Sequence, residues 1–183
     1  DGDGVDIEGT PGNDQFEYTQ GATEDSGIVT GTMDRNNATG NGPFPLVPTS
    51  FVGIDPTAGE IDINDDVSGG TDSLIFNGTA ANDTIDVSAD GGAGNVRIAN
   101  TINGALFSNV RADDIASAIV RGHDGDDQLD HDGAISIPVS YEGGTPSGGS
   151  DVLNFVGSGA GAVVVDLQNE TITESGMGAV SYA

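Results

Sequence analysis

The chain has 183 residues, with 30 acidic side chains against four arginines and no lysine, a formal charge of −26. Binding to nucleic acid or to an anionic membrane face needs clustered basic side chains, so those partners are excluded, and cations are what such a surface attracts. With no cysteine there is no disulfide framework or thiol chemistry, and no apolar run approaches the ~20 residues of a membrane-spanning helix, so no membrane insertion is expected.

Asp outnumbers Glu by 23 to 7, and there are 30 glycines. Glu would serve helices better, whereas Asp and Gly belong in turns, so the charge is expected to sit in frequent turns between short strands. In chain order, Asp1, Asp3 and Asp6 alternate as at the start of an EF-type loop, without the Glu that closes one. A frayed terminus explains them equally well. Residues 32–50, rich in Asn, Gly and Pro, are expected to form a loop excursion. Ile61 and Ile63 alternate with Asp62, Asn64 and Asp66, as do Leu74 with Phe76, Ile85 with Val87, and Ile135 with Ile137 and Val139, the period of half-buried strands. Residues 112–120 are the only stretch a helix could claim, and it is short. The continuous apolar run 163–167 predicts a strand buried on both faces. The chain opens on Asp1 and stops at Ala183 after an apparent strand, so it is expected to be a segment of a longer protein.

Internal repeats organise these elements. Gly69-Gly70-Thr71-Asp72-Ser73-Leu74-Ile75-Phe76-Asn77-Gly78 matches Gly148-Gly149-Ser150-Asp151-Val152-Leu153-Asn154-Phe155-Val156-Gly157 at six of ten positions, 79 residues on. Phe76 and Phe155 fall at equivalent places and are read as stacked core residues. Turn aspartates recur every 11 to 13 residues: Asp3 to Asp14 is 11, Asp72 to Asp83 is 11, and Asp127 to Asp151 is 24, two such steps. One step is a strand plus a tight turn, so two make a coil of 22 to 24 residues. The fold expected is a single all-β domain, a right-handed parallel β-solenoid of irregular coils, with a β-sandwich as the alternative. Residues 157–161 repeat the turn without its carboxylate.

One motif carries chemistry. Gly9, Gly12, Asp14 and Phe16 fit the pattern G-x-x-G-x-D-x-U-x, where U is a large apolar residue; so do Gly122, Gly125, Asp127 and Leu129, and Gly78, Asp83 and Ile85 with Ala81 at the second glycine. Glycines let the backbone turn and present carbonyl oxygens, Asp adds a hard anionic oxygen, and calcium takes six to eight such ligands. On these residues the chain resembles the giant repeat-rich prokaryotic surface proteins that carry haemolysin-type, RTX-like calcium repeats. The resemblance implies secretion, calcium dependence and a role in adhesion or in an extracellular layer or fibre. The step here is longer than the nine residues of those repeats, so isolated calcium sites are expected in place of a regular ladder. The candidate ligands are Asp14, Asp72, Asp83, Asp124, Asp126, Asp127 and Asp151, densest in the acidic cluster around Asp127. The competing reading is that these are turn formers whose carboxylates accept local amides.

His123 and His131 flank that cluster and are read as surface histidines before a transition-metal pair. Asn37, Asn77, Asn82 and Asn169 each open a glycosylation sequon, which only permits the modification. The function expected is a non-catalytic, extracellular structural or adhesive segment that stacks head-to-tail on copies of itself or on neighbouring repeats, with cell-surface glycans as further partners. The rivals are a polysaccharide-active enzyme on a β-helix and a carbohydrate-binding sandwich. Both are weakened by the scattered arginines and by the scarcity of aromatics, six Phe, three Tyr and no Trp.

Overall fold

Period-two apolar alternation produces strands from one end to the other, and no helix forms among the described residues. The computed structural model describes residues 4–34, 43–55, 57, 59–64 and 70–183. Asp1, Asp3 and Asp66, and positions 35–42 of the expected excursion, lie outside them.

Seven strands form one sheet: β1 (Val5–Glu8), β6 (Ile61–Asn64), β8 (Asp83–Ala89), β9 (Val96–Ile102), β10 (Ala105–Asp113), β12 (Gln128–Asp132) and β14 (Val152–Val156), in the order β1-β6-β10-β9-β8-β12-β14. Ten form the other: β2 (Gln15–Gln20), β3 (Ser26–Met33), β4 (Phe44–Pro45), β5 (Thr49–Val52), β7 (Ser73–Asn77), β11 (Ser117–Asp124), β13 (Val139–Thr145), β15 (Val163–Asp166), β16 (Thr171–Glu174) and β17 (Val180–Tyr182). Its order is β15-β16-β17-β13-β11-β7-β2-β3-β4, with β5 on β3.

Pairing along the body of each sheet is parallel and in register. Phe16, Leu74, Ala118, Val139 and Val180 lie side by side across β2, β7, β11, β13 and β17, and Tyr18, Phe76, Val120, Tyr141 and Tyr182 form the next row. In the other sheet Ile85, Leu129 and Leu153 align across β8, β12 and β14. These inward rows, from both sheets, merge into one buried core. Parallel strands demand a crossover between neighbours, and here the crossover runs through the opposite sheet.

Several expectations change. Arg121 pairs with Glu142 and Asp127 meets Asp151, 21 and 24 residues apart, which is the anticipated coil. Elsewhere the neighbours are further apart because hairpins are inserted: β9 and β10 lie between Asp83 and Asp127, and β3, with β4 and β5 paired to it, lies between Asp14 and Asp72. Part of the 32–50 excursion is thus strand. The two copies of the ten-residue repeat lie in opposite sheets, so Phe76 packs on Tyr18 at 5.1 Å while Phe155 stacks on His131 at 5.0 Å. They do not stack on each other. Residues 112–120 are the end of β10, a turn and the start of β11. Ile135 and Ile137 are buried as alternation predicts, but in a turn, with β13 starting only at Val139. The run 163–167 is an edge, with Val163, Val164, Val165 and Leu167 all exposed, because β15 pairs β16 alone and carries nothing on its outer side.

Candidate functional site: the stacked aspartate turns

Two of the motif turns share one construction. In the turn from β1 to β2 the amide and hydroxyl of Thr10 donate to the Asp14 carboxylate at 2.5 and 2.9 Å. In the turn from β7 to β8 the Thr79 amide donates to Asp83 Oδ2 at 2.7 Å and its hydroxyl to the same carboxylate. The turn at 157–161 lacks its own carboxylate, and Glu174 supplies one from β16. It accepts the Ser158 amide at 2.8 Å, the Ser158 hydroxyl at 2.9 Å and the Gly161 amide at 3.2 Å. These donors, the Ser158 amide foremost, hold the Glu174 carboxyl below its ordinary range.

Each turn also bonds to the next. The Asp83 amide donates to Asp127 Oδ1 at 2.9 Å, and the Asp127 amide to Asp151 Oδ1 at 2.9 Å. These three form a column on the edge where the chain crosses from the ten-stranded to the seven-stranded sheet. On the opposite edge the Asp14 amide donates to Asp72 Oδ1 at 2.6 Å. A second series runs beside the first: Asn13 Oδ1 accepts the Thr71 amide at 3.1 Å, and Asn82 Oδ1 the Asp126 amide at 3.0 Å. Asp126 Oδ1 accepts the amides of Ser147, Gly148 and Gly149, and the last two lead in keeping its carboxyl below the usual range. Of the seven predicted ligands, only Asp124, exposed at the end of β11, joins neither column.

Asp127 differs from Asp14 and Asp83. His123 stands where they have Thr10 and Thr79, in left-handed backbone at φ 76°. Asp127 is 1% exposed, and its Oδ2 has no hydrogen-bond donor. A Cβ on Gly122 would collide with that oxygen and with the Gly143 carbonyl oxygen, so this glycine holds open the space between them. Burial, reinforced by the charges of Asp83, Asp151 and Asp126, pushes the Asp127 carboxyl up to about 6 against the favourable amide bond from Asp83.

The arrangement organises backbone. Among the described residues no three His, Asp or Glu side chains converge as a metal ion requires. The Asp14 and Asp83 carboxylates already face amide and hydroxyl donors, which a cation would have to displace. The histidines do not form a pair either. His123 is exposed, whereas His131, expected on the surface, is 2% exposed in the core because β12 alternates Leu129 and His131 inward. Its Nδ1 lies 2.9 Å from the Tyr141 hydroxyl.

Thr10, Thr79, Asn13 and Asn82 were not singled out from the sequence, although Gly-Thr-x-x-Asn-Asp recurs at 9–14 and 78–83. Glu174 has no local signal. Three arginines are held by acids on the sheet surfaces: Arg97 by Glu60, Arg111 by Asp90 and Asp113, Arg121 by Glu142. A cavity of about 470 Å³ opens at the β13–β17 end, lined by Leu129, Tyr141, Leu153, Ile172 and Tyr182 with Asp151 as its carboxylate. Comparison with protein-family models, with curated proteins and with solved structures finds no match.

Proposed function

We propose that the chain is a non-catalytic, extracellular structural or adhesive segment, wound as a right-handed parallel β-solenoid and used in a cell-surface layer, fibre or adhesin. The observation that carries this reading is the column Asp83–Asp127–Asp151, in which each turn hydrogen-bonds the next while the strands beside it pair in parallel register. Side chains that tie one coil to its neighbour suit a part whose task is to hold shape along an axis. The right-handed sense is the one favoured when parallel strands are joined by a crossover. The single carboxylate in the cavity wall gives an acid–base pair no support there.

Head-to-tail association with copies of itself or neighbouring repeats belongs to the same reading. In each sheet the two outermost paths, ending at β1 and β14 and at β4 and β15, run in the same direction as the body strands, so a translated copy meets parallel edges at both ends. Cell-surface glycans remain the proposed adhesive partner.

Calcium enters as a stabiliser of the Asp127 edge, supported by the Oδ2 atom that faces the Gly143 carbonyl without a donor. Asp124, Asp126 and Asp151 add negative charge around it. The test is far-UV circular dichroism and thermal melting during a calcium titration, with magnesium and matched sodium chloride as controls. Calcium-specific stabilisation that disappears in Asp127→Asn is the expected result. A melting temperature that follows ionic strength alone removes calcium and leaves the turns as plain hydrogen-bonded turns.

A further inference from the structure

We propose that His131 is an acid-sensitive latch: protonation of its buried ring expels it from between β13 and β14 and frees β14 from the core. The ring lies on the inner face of β12, opposite Val87 of β8 and Phe155 of β14 in register. It stacks on Phe155 at 5.0 Å with planes 10° apart and meets Tyr141 of β13 edge-on at 5.9 Å, with the hydroxyl on Nδ1. No carboxylate pairs with it among the described residues. Tyr141 is the one titratable group facing it from these elements, and burial drives the tyrosine pKa upward, so it stays neutral throughout. Asp130 and Asp132 on its own strand, and Asp86 on β8, point to the opposite face.

An imidazolium here would be buried with an aromatic stack and a neutral hydroxyl for company. Burial accordingly lowers the His131 pKa to about 4, against a small opposing effect of Asp132. β14 is the place where the strain would be released. It is the last strand of its sheet, held through β12, and Val152 and Val156 are exposed on its other face. Its inward Phe155 is the residue that the ring holds. The nearby Asp127 cannot produce the same effect, since protonating a buried carboxyl whose pKa is raised favours the folded state.

The experiment is amide hydrogen exchange, expressed as protection factors, on the whole chain at pH 7 and pH 4. Wild type is compared with His131→Phe, which keeps the stack and cannot charge. In wild type the β14 amides should lose protection by up to about a hundredfold at pH 4, the span between a free and a buried histidine pKa. The β6 amides, at the other end of the same sheet, should lose much less. In His131→Phe the β14 loss should vanish. Should that variant fail to fold, the His131 ring proton shift in wild type decides instead: a ring still neutral at pH 5 upholds the latch. A ring that titrates near 6.5 with β14 protection unchanged overturns it, as does equal β14 loss in both proteins.

Discussion

At the scale of single residues the turn aspartates show how one short side chain can serve two structural ends. A carboxylate offers two oxygens with several acceptor directions, so Asp83 can take its own turn's Thr79 amide, accept from Asn100 Nδ2 at 2.9 Å, and still lie beneath the next turn. Asp127 lacks the local half of this arrangement, since His123 offers no hydroxyl and its left-handed backbone would strain a β-branched replacement. Asn suits the position better than Asp. It keeps an oxygen for the Asp83 amide, turns the other atom into an amide donor facing the Gly143 carbonyl, and removes a charge opposed by Asp83, Asp151 and Asp126. Asp127→Asn should therefore stabilise the protein by about 1 kcal/mol at pH 7 in chelator. A melt that is unchanged or lower would mean that Oδ2 is better satisfied than its surroundings imply.

At the scale of elements the exposed edge is the feature with consequences. β15 presents Val163, Val164 and Val165 outward, with Leu167 beyond, on a strand whose far side pairs with nothing in the chain. Open edges with apolar side chains associate unless something opposes them, and here the opposition is a charge of −26. Screening should release it: sedimentation velocity is expected to show self-association that grows with sodium chloride, and Val164→Glu should suppress it. Association that falls with salt, or ignores the substitution, would place the contact elsewhere. The elements themselves were partly legible. Alternation found β6, β7, β8 and the buried Ile135 and Ile137, and the Asp127–Asp151 spacing predicted their contact. The Asn103-Gly104 turn of the β9–β10 hairpin, at φ 53° and 81°, was a readable hairpin signal that was passed over. The exposed run 163–167 was not readable, because periodicity reports apolarity and not whether a neighbour arrives to cover it. The opposite-sheet placement of the two ten-residue repeats was hidden for a similar reason: local sequence sets the turn and the strand, while the inserted hairpins decide what lies beside it. Glu174 is the extreme case, a turn carboxylate supplied from another strand.

At the scale of the whole molecule, stability against pH combines two buried groups whose effects have opposite signs. His131 has a folded pKa near 4, below its unfolded value near 6.5. Between these values the unfolded chain binds more protons, so stability is present in full above 6.5 and falls as pH drops towards 4. Asp127 has a folded pKa near 6, above the ordinary 3.8. There the folded chain binds more protons, so its contribution is full below 3.8 and is lost as pH rises through 6. The windows overlap almost completely, and the wild-type melting temperature should change little between pH 4.5 and 6.5. The depressed carboxyls, Glu174, Asp126 and Asp166, weaken the fold only further into acid, below the ordinary carboxylate range, and they do so in every variant alike. Removing one member of the pair should expose the other. Asp127→Asn is expected to lose stability on acidification from 6.5 to 4, and His131→Phe to gain it over nearly the same interval. Thermal melts of the three proteins across that range, at fixed ionic strength, measure the difference directly. Three parallel curves would mean that neither group titrates as its burial dictates, and that acid acts on this protein only by discharging its surface.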